Sequence, residues 1–255
     1  MTHLPCLPEL RVLGLSGLPE VAPGDDLAEL IAAAVRRAGL TIQAGDVFVV
    51  THKIVSKAEG QLVRLAEVEP SPLAERWSIP FGKDPRLFEL ALRAARRIVR
   101  MDRGVLIAET PHGFVCANAG VDSSNIADEG AALLPEDPDE SARRLCIGLR
   151  GAFGQPVAVI ISDSFGRAWR EGQVNVAVGV AGLRPIVDYR GREDVHGHRL
   201  QATAIAIADE LASAAELVMG KMDAIPVALI KGARYEPGEG SARELVRTAD
   251  QDLFR

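Results

Sequence analysis

Apolar and polar residues recur along the chain with two different periods, and their order predicts helices mixed with strands. Leu10 to Leu15 reads as a strand, broken by Gly17, Pro19, Pro23 and Gly24 before Asp25 and Asp26 open a helix through Ala38. Within it Leu27, Leu30, Ile31, Ala34 and Ala38 follow helical spacing and form one buried face. Gly45-Asp46 turns into a short β-branched run, Val47 to Val50, whose exit carries His52-Lys-Ile-Val-Ser-Lys57. Pro70, Pro72, Pro80 and Pro85 mark an irregular connection, and a helix is expected from Arg86 to Val99. Val105 to Ala108 and Gly113 to Cys116 read as a hairpin, and Pro138 begins another helical stretch. Val157 to Ser162 and Val174 to Val180 read as strands, and Leu200 to Met219 as a packed helix of small apolar residues. Ile225 to Ile230 returns to strand before a Gly232 to Gly240 loop and a terminal helix.

This alternation supports a mixed α/β architecture without determining strand order. A simple dinucleotide-binding fold would need Gly-x-Gly-x-x-Gly after the first strand. The only comparable piece, Gly238-Glu-Gly240, comes too late and is too short. The chain shows no internal repeat, coiled-coil heptad or low-complexity tail.

Composition narrows the class. With 255 residues and 47% hydrophobic content the chain buries a substantial core, as one large domain over 1–255 or two intimately packed subdomains. A net charge of −6 argues against a general nucleic-acid binder, whose footprint is basic. Cys6, Cys116 and Cys146 are widely spaced with no Cys-x-x-Cys pair, so neither a zinc site nor a disulfide framework is indicated, and a reducing cytoplasm fits. The N-terminus lacks a basic stretch followed by an apolar one, and no run reaches about 18 consecutive apolar residues, so a soluble, unexported protein is expected.

The chemistry concentrates in two polar segments, Asn118-Ala-Gly-Val-Asp-Ser-Ser-Asn125 and Ile161-Ser-Asp-Ser-Phe-Gly-Arg167. Each is expected as an acidic or amide-rich turn entered from an apolar β-type run. Buried strands ending in Asp, Asn and Ser deliver hard oxygen ligands to a sheet edge, where a divalent cation holds a triphosphate. The same residues are also ordinary turn formers. What tips the balance is the sequel to Asp163 and Ser164: Gly166, Arg167, Trp169, Arg170, Glu171 and Gly172 gather cations beside a candidate metal ligand. Guanidinium groups fork onto phosphate or carboxylate oxygens, so Arg167 and Arg170 are candidate substrate clamps, with pairing to Glu171 or another carboxylate as the structural alternative. Lys53 and Lys57 are candidate phosphate contacts because they follow a buried strand. Arg93, Arg96, Arg97 and Arg100 are better explained as cations near a helix C-terminus, and His196 and His198 as loop hydrogen-bonding residues without a third metal ligand.

Taken in order, Gly17-Leu-Pro-Glu-Val21 with Gly24-Asp-Asp-Leu27, Gly45-Asp-Val-Phe-Val-Val-Thr-His-Lys-Ile-Val-Ser-Lys-Ala-Glu-Gly60, the two polar segments, and Met219-Gly-Lys-Met-Asp-Ala-Ile-Pro226 resemble the coenzyme F420-0:gamma-glutamyl ligase family. The resemblance spans nearly the whole chain. It implies a GTP- and metal-dependent enzyme that attaches L-glutamate to a deazaflavin coenzyme through an acyl phosphate and then adds further γ-linked glutamate. It implies an α+β fold with extended antiparallel sheets and an intertwined homodimer. It implies Mg2+ or Mn2+ as the divalent cofactor, with K+ a further candidate. The chain carries no match to the nitroreductase-like domain that some relatives add at the C-terminus.

Carried across residue by residue, the resemblance makes Leu18, Pro19, Glu20, Val21, His52, Lys53, Lys57 and Asn125 nucleotide contacts, together with Met219, Gly220, Lys221, Met222, Asp223, Ala224 and Ile225. Asp122, Asp163 and Ser164 match the metal positions, Ser164 through its hydroxyl or its backbone carbonyl. Asp122, Asp163 and Lys57 are the expected catalytic groups. One departure stands out: the archaeal pattern has a metal-binding Glu where this chain has Lys221, and an ammonium is no oxygen ligand. Either a second metal is held differently or Lys221 supplies part of the charge compensation. A metal-dependent nucleotide phosphohydrolase and a non-catalytic deazaflavin-binding module are the competing functions.

Overall fold

The computed structural model describes residues 8–124, 126 and 129–252. In chain order its strands are β1 (Arg11–Gly14), β2 (Val47–Thr51), β3 (Leu62–Arg64), β4 (Arg97–Asp102), β5 (Val105–Glu109), β6 (Val115–Ala117), β7 (Gly130–Ala132), β8 (Ala158–Arg167), β9 (Arg170–Ala181), β10 (Val187–Asp188), β11 (Ala204–Ile205) and β12 (Val227–Lys231). The α-helices are α1 (Leu27–Arg37), α2 (His52–Ala58), α3 (Pro72–Ser78), α4 (Pro85–Ala94), α5 (Pro138–Phe153) and α6 (Ile207–Met219). The class is α+β, as expected.

The continuous apolar runs become the centre of a five-stranded sheet ordered β1-β12-β2-β8-β9. Residues Val47 to Val50 and Ala158 to Ile161 are fully buried, which explains why these strands lack polar alternation. β2 and β8 run parallel, whereas the other pairs of this sheet are antiparallel, so the expected antiparallel sheet contains one parallel pair at its centre. Helix α5 packs on β8 and β9 with α1 laid against it, and α6 packs on β9, β1 and β12. Gly179 permits the first contact: a Cβ there would lie 2.2 Å from the Pro138 carbonyl oxygen. Asp26 caps α1, its Oδ1 accepting the Ala28 and Glu29 N–H groups, a cap that contributes about 1 kcal/mol.

A second hydrophobic cluster, with Leu65, Phe88, Leu90, Leu106 and Val121, gathers α4, the β4-β5-β6 sheet and the segment after β6. The predicted hairpin is the β5–β6 pair, with Ala108 opposite Cys116. Several boundaries differ from expectation. The helix expected over 86–99 ends at Ala94, because Arg97 to Asp102 pairs with Val105 to Glu109 as β4. The arginines there accordingly meet carboxylates: Arg93 bonds Glu89, Arg97 bonds Glu109, and Arg100 bonds Asp102. The proline-rich connection contains α3, with Pro72 at its first turn and Ser71 as its cap. The helix expected from Leu200 starts at Ile207, since Ala204 and Ile205 pair with β10. After Gly240 the described chain forms only a short 3-10 turn, Ala242–Leu245, closed by a Ser241–Glu244 capping box.

Cys116 and Cys146 are buried free thiols, while Cys6 lies outside the described residues. Among the described residues no helix is long and apolar enough to cross a membrane.

Candidate active site

Parallel strands place their carboxyl ends side by side, and in open sheets ligands gather there. β2 and β8 are such a pair, with Thr51 opposite Ser162. β2 runs directly into α2, and β8 continues past the sheet body through Asp163 and Ser164. The second polar segment is therefore strand rather than the turn expected at 161–167, because β9 pairs with it as far as Arg170. A bulge lies between Ile161 and Ser162: Ile161 faces Gly179 but Ser162 faces Ala177, leaving Val178 of β9 as the extra residue. Such bulges re-aim the side chains that follow them.

Neighbouring residues of α2 reach both candidate carboxylates. The Lys53 ammonium is 2.9 Å from Asp122 Oδ2 and also bonds the Ser124 hydroxyl. The buried His52 Nε2 lies 3.3 Å from Asp163 Oδ1, close but out of line for a hydrogen bond. One turn on, Lys57 is almost wholly buried and pairs with Glu20. That contact ties the Leu18–Val21 segment to α2; Val21 is buried and Leu18 packs on the core beside it. Asn125 lies outside the described residues.

Asp122 follows Val121 of the second cluster, its backbone exchanging both hydrogen bonds with Ala132. Burial opposes its ionisation, yet the Lys53 ammonium and the Ser124 N–H hold the carboxyl below its ordinary value. Asp163 Oδ1 accepts the Ser164 N–H at 2.7 Å. Burial, with the Asp163 carboxylate nearby, pushes the Cys116 thiol up to about 12, so it stays protonated. Just ahead of Asp122, Asn118 and Ala119 both hold φ at 52°, a left-handed conformation that costs energy for Ala and is concentrated at functional sites.

Ser164 behaves differently from its neighbour. Successive strand residues point to opposite faces, and the Ser164 hydroxyl donates to Asn175 Oδ1 at 2.6 Å and accepts from the Lys221 ammonium. Asn175 Nδ2 in turn donates to Glu216 Oε2, and Lys221 is 3.3 Å from Glu216 Oε1. The Met219–Ile225 loop thus reaches the end of β8 through Lys221. Met219 is buried, Met222 is exposed, Ala224 has φ of 52° and Ile225 packs on the core. Neither Glu216 nor Asn175 was expected at the site. The available signal was Asn175 itself, a polar residue inside the run Val174-Asn-Val-Ala177, because a polar side chain in a buried strand needs a partner.

Arg167 and Arg170 face each other at the tip of the β8–β9 hairpin, beyond Asp163. Arg167 donates to the Glu171 backbone carbonyl rather than to a carboxylate, and its buried Nε has no hydrogen-bond partner among the described residues. His196 and His198 take the loop role: their N–H groups both bond Asp194 Oδ1.

Among the described residues, no three His, Cys, Asp or Glu side chains converge as a cation cage. The donors are still of the right kind. Mg2+ takes one or two carboxylates, keeps several waters and completes its shell with substrate phosphates, and Asp122 and Asp163 offer two carboxylates beside three cationic or imidazole side chains. The larger cleft elsewhere, of about 830 Å³, is lined by Asp25, Asp26, Glu59, Glu136, Asp137 and Glu140 against Arg144, which disfavours a polyphosphate.

Residues 17–232 match the F420-0:Gamma-glutamyl ligase family. The chain is 45% identical over 249 residues to the Coenzyme F420:L-glutamate ligase of Methanothermobacter thermautotrophicus, covering 96% of this chain and 99% of that relative. The protein of the same name from Methanopyrus kandleri is 46% identical over 254 residues, 98% of this chain and 99% of the relative. A third, from Methanocaldococcus jannaschii, is 42% identical over 250 residues, 97% of each chain.

Proposed function

Because this chain belongs to the F420-0:gamma-glutamyl ligase family, we propose that it is an amide-forming ligase that joins L-glutamate to coenzyme F420-0 at the expense of GTP and then adds further γ-linked glutamate. The observation that supports this reading is the meeting of His52 with Asp163 and of Lys53 with Asp122 at the carboxyl ends of the parallel β2–β8 pair.

A carboxylate does not condense with an amine at neutral pH, because its leaving group would be oxide. Transfer of the GTP γ-phosphoryl to a carboxylate oxygen of the coenzyme yields an acyl phosphate and GDP. The glutamate amine then attacks the acyl carbon, inorganic phosphate departs, and the amine proton passes to solvent. No covalent protein nucleophile is required. Asp122 and Asp163 would hold Mg2+ or Mn2+, which when bound neutralises phosphate charge. Ser164 would add its backbone carbonyl, since its hydroxyl faces Asn175 and Lys221. Lys53 and Lys57 bind and orient the phosphates, and the low exposure of Lys57 strengthens its pull on charge developing there. The buried His52 lies beside Asp163 and would turn onto its carboxylate when the metal is bound. Lys221, tied to Ser164 and Glu216, supplies fixed positive charge from the 219–225 loop, and Arg167 and Arg170 hold the anionic coenzyme tail at the hairpin tip. The proposal includes a homodimer; Val105 and Val115 share an exposed face of the three-stranded sheet that such pairing would cover.

Mass spectrometry of the product from purified protein, coenzyme F420-0, L-glutamate, GTP and Mn2+ tests this directly. A glutamyl adduct with glutamate-dependent GDP release is expected. GDP release without glutamate dependence would mark a phosphohydrolase, and binding without turnover a carrier. GTP should support ligation better than ATP; equal or higher kcat/KM with ATP would remove the GTP assignment and leave the ligase.

A further inference from the structure

A second cavity, of about 310 Å³, opens beside Asp122. Its walls come from the start of α4 and the segment after β6: Lys83, Asp84, Leu87 and Phe88 on one side, Asn118, Val121, Asp122 and Ser123 on the other. The volume lies at the floor of the range of about 300–1,000 Å³ typical of small-molecule pockets. It suits an amino acid, not a tricyclic deazaflavin or a guanine nucleotide.

The lining is chemically asymmetric. Asp84 is already neutralised: its two oxygens accept a forked pair of bonds from Arg86, which holds the carboxyl below its ordinary value. Lys83 is exposed and forms no ion pair among the described residues, so its ammonium is available to an anion. Asn118, held at φ of 52°, lines the same space. Leu87, Phe88 and Val121 add apolar lining. A dicarboxylic amino acid offers a side-chain carboxylate for Lys83, methylenes for the apolar lining, and an α-carbon bearing the amine and a second carboxylate.

We infer that the Lys83–Asp122 cavity is the subsite for the acceptor L-glutamate, with Lys83 binding a carboxylate and the nucleophilic amine lying toward the Asp122 end, where the acyl phosphate forms, while Asp122 itself stays paired with Lys53. This rests on the ligase reading above and adds the place where the amino acid binds. Lys83 is thereby a specificity-determining residue for glutamate.

Steady-state kinetics of Lys83→Ala and Lys83→Glu test it, with each substrate varied in turn. Loss of a charge-assisted contact should raise the KM for glutamate by about 10- to 100-fold, more for the charge reversal, while the KM values for GTP and coenzyme F420-0 stay unchanged. Circular dichroism checks the fold, which an exposed side chain does not support. If the coenzyme KM rises instead and that for glutamate does not, the cavity receives the coenzyme tail and the inference is overturned. It is equally overturned if both variants ligate with wild-type KM for glutamate. A wild-type protein that forms no glutamyl adduct would end the ligase reading itself, and this inference with it.

Discussion

Asp139 is a buried carboxylate at the start of α5 that joins three distant parts of the chain. Its Oδ1 accepts the N–H groups of Val180 in β9 and Ala242 in the final 3-10 turn, both at 2.9 Å, and Oδ2 accepts the Ser241 hydroxyl. Asp139→Ala strips two buried N–H groups of their acceptor. Each unsatisfied group costs about 1–3 kcal/mol, so the loss should be about 4 kcal/mol. Asp139→Asn separates acceptor geometry from charge. Its carbonyl oxygen keeps both N–H bonds, and its NH2 donates to the Ser241 oxygen once that hydroxyl rotates, so only the charge assistance disappears, about 1–2 kcal/mol. Urea unfolding followed by circular dichroism should give a large fall in midpoint for the alanine variant and a small one for the asparagine variant, at similar slope. A loss below about 1 kcal/mol for Asp139→Ala, or equal losses for both variants, would refute the clamp.

Asp163→Asn should remove most glutamate-dependent GDP formation while leaving the fold intact, and Asp122→Asn should behave alike; near-normal turnover at limiting metal would dismiss either as a ligand. Lys221→Ala should weaken GTP binding about tenfold, the effect of roughly one charge-assisted contact, and Lys221→Glu should alter the Mn2+ dependence; titrations unchanged in both variants would return Lys221 to a surface role. Burial pushes the Asp209 carboxyl above its ordinary value, against the Ala177 N–H that it accepts. Its contribution to stability is therefore complete below the unfolded pKa of about 3.9 and is lost as pH rises through the raised folded value. Asp209→Asn should gain stability relative to wild type across that interval, measured as unfolding free energy against pH; parallel curves would contradict this.

Much of the molecule was legible without coordinates where the signal is local. The apolar spacing of α1 with its Asp26 cap, the β-branched run of β2, and the buried approach to Asp163 each need only neighbouring residues to declare themselves. The ordered motifs likewise disclosed the family. Four things needed the folded chain. Arg97 to Val99 looked like the end of a helix because nothing local opposes one there; pairing of Arg97 to Asp102 with Val105 to Glu109 makes it a strand. Asp163 and Ser164 looked like one ligand pair, but continuing β8–β9 pairing sends their side chains to opposite faces. Glu216 and Asn175, 41 residues apart, became neighbours only through the packing of α6 on β9. The cavity between Lys83 and Asp122 likewise joins the start of α4 to the segment after β6, which no periodicity connects. Helical faces and caps are set by interactions a few residues apart, so sequence alone determined them. Strand partners, the side a polar residue faces and the shape of a pocket depend on contacts between distant segments, and only the tertiary structure decided those.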